Sequence, residues 1–380
     1  MRTVLLMIML GIAATTGNAQ SRPGARDLGI APGTMEPGPL NAITDVAGVR
    51  VGQVTVVQGD NVRTGVTAVL PHSGNLFQQK VAGAVFIGNA FGKLAGSTQV
   101  DELGTIETPI VLTNTLSVGT ALEAIVRWTV AQPGNENVRS VNGLVGETND
   151  GGLNDIRGLH VTREHVQSAI ANAKEGAVEE GAVGAGTGTV AFNWKGGIGT
   201  SSRLVRQRDA QYTVGVLVQT NYGGKLTIAG VPVWKELTPR APQGNEDVSS
   251  QARSAKEDVS SEARSAKEDG SCMIVVATDA PLSARDLKRL AARAVYAMAR
   301  TGSTFSNGSG DFAIAFSTKS LGQVSLPTDA VSGLFEATMD ATEEAIYNSM
   351  LKATDTSGNG RTIRALPVDD LKALLKKYGR

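Results

Sequence analysis

A layered α/β or α+β domain is the fold class this sequence predicts, and three observations lead there. Strand-like and helix-like segments interleave along the chain. Several strands are continuous apolar runs, as expected for strands covered on both faces. One long segment carries apolar residues at i, i+3, i+4 and i+7, the stripe of a helix laid on a sheet. Stacked sheets covered by helices satisfy all three.

The elements follow in chain order. Arg26-Asp27-Leu28-Gly29-Ile30 and the Pro- and Gly-rich stretch to Pro39 read as an extended arm. Val49–Val57 alternates and is β-branched, so it predicts a strand, and residues 65–70 and 82–87 read similarly. A helix follows Ser117-Val118-Gly119, with Leu122, Ile125, Val126 and Val130 on one face, and stops at Pro133. Strands recur at Gly188–Asn193, Tyr212–Thr220 and Met273–Thr278. Ser283 then caps a helix whose stripe is Leu287, Leu290, Ala291, Ala294, Val295 and Met298, ending at Thr301-Gly302. A strand at Phe312–Phe316 and helices near Ala341–Lys352 and Val368–Tyr378 complete the pattern.

Two segments stand outside this core. Met1 to Ala19 has Arg2, an apolar run from Val4 to Ala14, and small residues at Gly17 and Ala19, which predicts a secretory leader cut before Gln20. The run is well short of the ~20 residues a membrane-spanning helix needs. A periplasmic or secreted destination follows. Residues 248–258, VSSQARSAKED, are repeated at once as 259–269, VSSEARSAKED, differing at Gln251 and Glu262. The repeat is polar and has no apolar face, so it reads as a solvated linker, with a short exposed helix as the alternative.

The bulk numbers exclude several functions. The chain of 380 residues has 36 basic and 36 acidic side chains, and no Lys/Arg cluster longer than Lys376-Lys377. Neither a nucleic-acid nor a membrane-surface partner is predicted. Cys272 is the sole cysteine, so no internal disulfide forms, and stability is expected from packing and association into a homo-oligomer. His72, His160 and His165 show no metal-ligand spacing, so no metal and no cofactor is expected. Gly184–Gly188 reads as a glycine-rich turn rather than a dinucleotide fingerprint.

What remains is the junction Glu268-Asp269-Gly270-Ser271-Cys272-Met273, where the linker meets a strand. A serine placed there can attack its own preceding carbonyl if the backbone is held under strain, and Gly270 would supply conformations closed to other residues. The product would bear a free α-amine on Ser271. Such an amine ordinarily titrates near roughly 8, so it can act as general base without a histidine.

The sequence resembles the L-aminopeptidase/D-esterase and β-peptidyl aminopeptidase family, whose members are precursors split into α and β subunits just before a serine. The resemblance runs through Arg26–Ile30, Asn41–Gly52, Arg63–Thr67, Leu112–Thr115, Val145–Asp155, Lys195–Arg203, Asn221–Gly223, the Ser271 junction, Gly308–Asp311 and Ala365–Pro367. It implies an αββα sandwich similar to N-terminal nucleophile hydrolases but with its own connectivity, an α subunit ending at Gly270 and a β subunit from Ser271 to Arg380 within one catalytic domain.

Roles follow from the resemblance residue by residue. Ser271 is implied as nucleophile, with Ser309 and Asp311 as the relay and charge-stabilising pair beside it. Asn221 is implied as the oxyanion-hole amide, and Glu147 as the acid that holds the substrate's amino group. The implied substrates are short peptides or amino-acid amides, and export inclines the reading towards β-amino-acid release. L-aminopeptidase/D-esterase action, a non-peptide amidase or acyltransferase, and an inert binding scaffold are the alternatives. Asn89–Leu94 departs from the acidic, Gly-rich character associated with this region, and Asn149 stands where some relatives carry an aromatic.

Overall fold

The computed structural model describes residues 22–207, 210–239 and 270–380. The leader expected at 1–19 and the tandem repeat at 248–269 lie outside these described residues. In chain order the strands are β1 (Arg50–Gln58), β2 (Val62–Leu70), β3 (Val81–Ala90), β4 (Leu94–Ala95), β5 (Thr105–Ile106), β6 (Ile110–Asn114), β7 (Leu144–Thr148), β8 (Val190–Ala191), β9 (Trp194–Lys195), β10 (Gly197–Gln207), β11 (Ala210–Asn221), β12 (Ser271–Thr278), β13 (Gly310–Ser320), β14 (Thr356–Gly358) and β15 (Arg361–Ile363). The helices are α1 (Ser97–Leu103), α2 (Val118–Val130), α3 (Arg163–Ala171), α4 (Val233–Glu236), α5 (Ala284–Arg300), α6 (Ser332–Leu351) and α7 (Val368–Lys377).

Two large sheets result, a five-stranded one in the order β1-β2-β6-β7-β4 and a six-stranded one in the order β10-β11-β12-β13-β3-β5, beside the two-stranded pairs β8-β9 and β14-β15. Their side chains divide by the two-residue period of a strand. Along β12, Met273, Val275 and Ala277 enter the layer between the sheets, with Leu112, Leu144, Leu217 and Phe312. Cys272, Ile274 and Val276 point the other way, into the layer built with α5 and α6. A third apolar layer joins Val66, Val111 and Val145 to Ala121 and Ile125 of α2 and Val166 and Ile170 of α3. The order is therefore helices, sheet, sheet, helices, as expected.

The helix ends are explained locally. The Ser283 hydroxyl accepts the backbone N–H of Asp286 at 3.2 Å at the start of α5, a cap of a kind contributing about 1 kcal/mol. Helix α6 buries residues on nearly every side, and its buried Glu344 is held by Arg203 at 2.7 Å and by Arg26 of the N-terminal arm at 3.0 Å. Arg203 is itself fully buried, so the pair is compensated by hydrogen bonds rather than by water. These contacts explain why Arg26 and Arg203 both lie inside the motif segments.

Three readings change. In α2 the buried face is Ala121, Ala124, Ile125 and Thr129, whereas Val130 is exposed; the small alanines let the helix approach the sheet closely, and hydrophobicity alone pointed to the neighbouring face. Gly188–Asn193 is not one strand: Phe192 and Asn193 adopt φ of 51° and 65°, turning the chain back from β8 into β9. The helix expected from Ala341 begins at Ser332; its first half buries the stripe Leu334, Ala337, Thr338 and Ala341, in which only Leu334 is large and apolar, so the period is faint in the sequence.

Candidate active site

Three adjacent strands bring the expected residues together. β11 and β12 are antiparallel and pair Asn221 with Ser271, while β12 and β13 are parallel and pair Ser271 with Gly310 and Cys272 with Asp311. Residues far apart in the chain thus meet at one end of the six-stranded sheet. Ser271 shares the inter-sheet face with Met273.

The peptide joining Gly270 to Ser271 is held from two directions. The Ser271 hydroxyl donates to the Gly270 carbonyl oxygen at 2.6 Å, and the Gly310 backbone N–H donates to the same oxygen at 3.0 Å. Both donors polarise that carbonyl. Gly270 is also closely surrounded. Space is the requirement: a Cβ there would lie 3.2 Å from Ser309 Oγ and 3.3 Å from the Tyr222 backbone.

Ser309 donates to Asp311 Oδ1 at 2.8 Å, which aims its hydroxyl hydrogen at the carboxylate and leaves its lone pairs for another donor. Asp311 Oδ2 is buried with no hydrogen-bond partner among the described residues. Burial pushes the Asp311 carboxyl up to about 6, opposed in part by the Ser309 hydroxyl and the Cys272 backbone N–H. Such a group is poised to gain from a cation placed beside it.

Asn221 is oriented by its oxygen, which accepts the Val190 N–H at 2.9 Å. Val190 follows a turn secured by Lys195, whose buried ammonium donates to the carbonyls of Gly186, Thr189 and Gly196 at 2.9, 2.9 and 2.8 Å. Burial pulls Lys195 down to about 7, against the opposing charge of Asp150. Burial likewise raises Asp150 to about 6. Three carbonyl acceptors use all three hydrogens of an ammonium, so the geometry favours the charged form.

Glu147, 2% exposed, sits on the other sheet. Its carboxylate accepts the Lys93 backbone N–H at 3.0 Å and the Thr115 hydroxyl, and the Lys93 ammonium lies 3.7 Å away. Gly92 stands between the acid and β13: a Cβ on it would lie 3.2 Å from Glu147 Oε1 and 3.3 Å from the Gly310 Cα. All five expected side chains, Ser271, Ser309, Asp311, Asn221 and Glu147, therefore belong to one neighbourhood.

Beside the Gly270–Ser271 junction opens a cleft of about 690 Å³, lined by Asn149, Val190, Asn221, Tyr222, Gly270 and Arg361 among others. A larger groove of about 1050 Å³ along β10 contains none of the site residues. Among the described residues there is no cluster of His, Cys, Asp or Glu able to hold a metal, and no helix long and apolar enough to cross a membrane.

Several participants were missed from sequence. Lys93 lies in the very segment that departs from the family pattern, and it supplies a backbone N–H, which no side-chain motif can reveal. Thr115 and Lys195 did lie inside motif segments, and burial of a lysine among glycines is the signal that could have marked the latter. Gly310 contributes through its main chain alone.

The arrangement has close counterparts. Residues 41–363 match the family profile of peptidase family S58. The β-peptidyl aminopeptidase BapA of Sphingosinicella microcystinivorans is 42% identical, covering 98% of this chain and 96% of its own. A β-aminopeptidase from a Burkholderia species superposes with a TM-score of 0.81 at 36% identity, covering 94% of this chain and 99% of its own. The L-aminopeptidase D-Ala-esterase/amidase of Ochrobactrum anthropi, described as a prototype of the serine aminopeptidases and a variant of the Ntn hydrolase fold, gives 0.82 at 36% identity with the same coverage. The αββα expectation and the family resemblance both hold, and the chain belongs to peptidase family S58 as an aminopeptidase.

Proposed function

We propose that the chain is an exported precursor that cuts itself between Gly270 and Ser271 and then releases N-terminal β-amino acids from short peptides and amides. The observation that carries this reading is the Ser271 hydroxyl, 2.6 Å from the Gly270 carbonyl oxygen that Gly310 also holds. Attack of Ser271 Oγ on that carbonyl carbon forms an ester and breaks the C–N bond, and the proton passes to the departing amine. Water then hydrolyses the ester, leaving a carboxylate on Gly270 and a free amine on Ser271. The α chain, residues 20–270, and the β chain, residues 271–380, stay together as one unit, and such units associate into a homo-oligomer. The leader at 1–19 directs the precursor to the periplasm or the medium.

In the processed enzyme the Ser271 amine takes the proton of its own hydroxyl, with Ser309 relaying and Asp311 stabilising the ammonium that results. The Asn221 amide donates to the oxyanion, which in other acyl-transfer enzymes lowers the barrier by about 3 kcal/mol. Glu147 binds the substrate's ammonium, as its existing approach to the Lys93 ammonium supports. The β-peptide preference is supported by the 42% identical relative that bears this activity in its name.

The test is the mass of purified protein and its turnover of β-alanyl and L-alanyl amides. Two fragments, starting at Gln20 and at Ser271, are expected from the wild type and a single chain from Ser271→Ala. An intact, fully active wild type overturns self-cleavage. Equal turnover of N-acetylated substrates overturns the role of Glu147, and turnover of L-alanyl substrates alone moves the assignment to the L-aminopeptidase reading.

A further inference from the structure

The Glu147 carboxylate has a neighbour that meets it twice. Lys93 approaches Glu147 Oε1 through its backbone N–H at 3.0 Å and through its ammonium at 3.7 Å. The two contacts differ in kind. The N–H makes a hydrogen bond that fixes the acid, whereas an ammonium at 3.7 Å is too far to donate and is held by charge alone. The Lys93 side chain is 56% exposed and that of Glu147 3%, so the lysine forms the open side of the pair.

The fold fixes where this lysine starts. Just before it, the Phe91 N–H donates to the Ser309 carbonyl at 3.1 Å; just after it, Leu94 pairs with Gly146, the residue preceding Glu147. Lys93 therefore spans from the loop of Ser309 to the strand of Glu147, and its main chain is tied to both. Its long stem lets the ammonium yield Oε1 to a substrate while staying beside it. Among the described residues Glu147 is the one carboxylate within 4 Å of this ammonium. The carboxylate that self-cleavage would leave on Gly270 belongs to the cleft, whose lining does not include Lys93.

A carboxylate and an ammonium side by side on the protein match an ammonium and a carboxylate side by side on a ligand, each charge meeting its opposite. One carbon carries both charges in an amino acid that is linked through its side chain. In a β-amino-acid residue the ammonium bound by Glu147 lies two carbons from the carbonyl under attack. At that spacing the zwitterion is an aspartyl residue joined through its β-carboxyl, with the α-carboxylate free. Resting on the function proposed above, we propose that β-linked aspartyl peptides are a substrate class of this enzyme, the ammonium seated on Glu147 and the α-carboxylate on Lys93.

The experiment measures kcat and KM for L-aspartic acid β-p-nitroanilide and for its α-carboxamide, which keeps the shape and removes the charge. β-Alanine and L-alanine p-nitroanilides run alongside, in wild type, Lys93→Met and Lys93→Arg. The wild type should use the acid about fivefold better than the carboxamide, the upper range for an ion pair half open to water, and mainly through KM. Lys93→Met leaves the substrate carboxylate facing Glu147 uncompensated, so its ratio should fall below one, and Lys93→Arg should hold the ratio above one. Each ratio is taken within one protein, so a displaced Glu147, which weakens both compounds together, does not imitate the effect. Equal use of acid and carboxamide by the wild type, which a Gly270 carboxylate seated on Lys93 would also produce, overturns the proposal. An unchanged ratio in Lys93→Met does the same, and the wild-type ratio decides even where the variant fails to fold. If β-alanine p-nitroanilide is cleaved while the aspartyl pair is used equally, the function stands and only the substrate class falls. Turnover of L-alanine p-nitroanilide alone, or of none of the four compounds, removes the β-amino-acid function and the proposal with it.

Discussion

Replacing Asp311 by Asn tests whether the site stores an electrostatic penalty until it is processed. An ordinary aspartyl side chain titrates near about 3.9, whereas burial holds Asp311 at about 6. That difference corresponds to about 3 kcal/mol between the two protonation states. The sign follows from which state binds the proton more tightly. Between about pH 4 and pH 6 the folded chain keeps a proton that the unfolded chain has released, so stability falls as pH rises through this window, and the whole penalty is present above it. Asn also alters hydrogen bonding, but that offset does not titrate. The pH dependence therefore isolates the charge. In a Ser271→Ala background, which on the proposed mechanism should stay in one piece, unfolding should be followed for Asp311→Asn and its parent from pH 4 to pH 8. The variant should gain about 3 kcal/mol relative to the parent across this range, which for a domain of roughly 350 residues moves Tm by about 4 °C. Curves that run parallel, or a parent that gains on the variant as pH rises, would refute a buried, unfavourably ionised Asp311.

Three more outcomes are expected. Asn221→Ala should lower kcat by about 100-fold with little change in KM, because the amide is proposed to act on charge that develops only in the transition state; steady-state kinetics on β-alanine p-nitroanilide read the split, and a rise in KM alone would make Asn221 a binding residue. Gly270→Ala should slow precursor splitting, since its Cβ would lie 3.3 Å from the Tyr222 backbone, which cannot swing aside; the fraction that does split should have wild-type kcat, and a gel time course showing wild-type splitting would discount the crowding argument. Deleting residues 259–269, one copy of the repeat, should leave splitting nearly unaffected, because shortening a loop changes its closure entropy by about 1 kcal/mol or less; loss of splitting on the same gel would give the repeat a specific role.

The fold was most legible where burial is one-sided or periodic. The stripe of α5 and the apolar run of β12 each marked an element directly, because a helix on a sheet and a strand between two layers leave distinct patterns. The first half of α6 and the true face of α2 were hidden, as was the turn through Phe192 and Asn193, because buried faces made largely of small or polar residues, and positive φ, leave no strong apolar period. The site divides the same way. Ser271, Ser309, Asp311, Asn221 and Glu147 were reachable from motifs, but their arrangement depends on strand register, which pairs Asn221 with Ser271 across 50 residues of chain. The N–H groups of Lys93, Val190 and Gly310 could not be read at all, since every residue but proline has one.

The placement of the junction has a consequence for how the molecule can come apart. Ser271 begins a central strand whose neighbour, β11, belongs to the other prospective fragment, and Arg26 and Arg203 from that fragment hold Glu344 of this one. A cut at residue 270 therefore leaves a boundary that is the protein's own core, with no surface on which either piece could rest alone. Before the cut, unfolding is a unimolecular event; after it, the same loss of structure releases two chains, and recovery requires them to find each other. The melting temperature of the processed protein should then depend more steeply on its concentration than that of the precursor, so that a single hydrolysed bond adds a problem of assembly to one of folding.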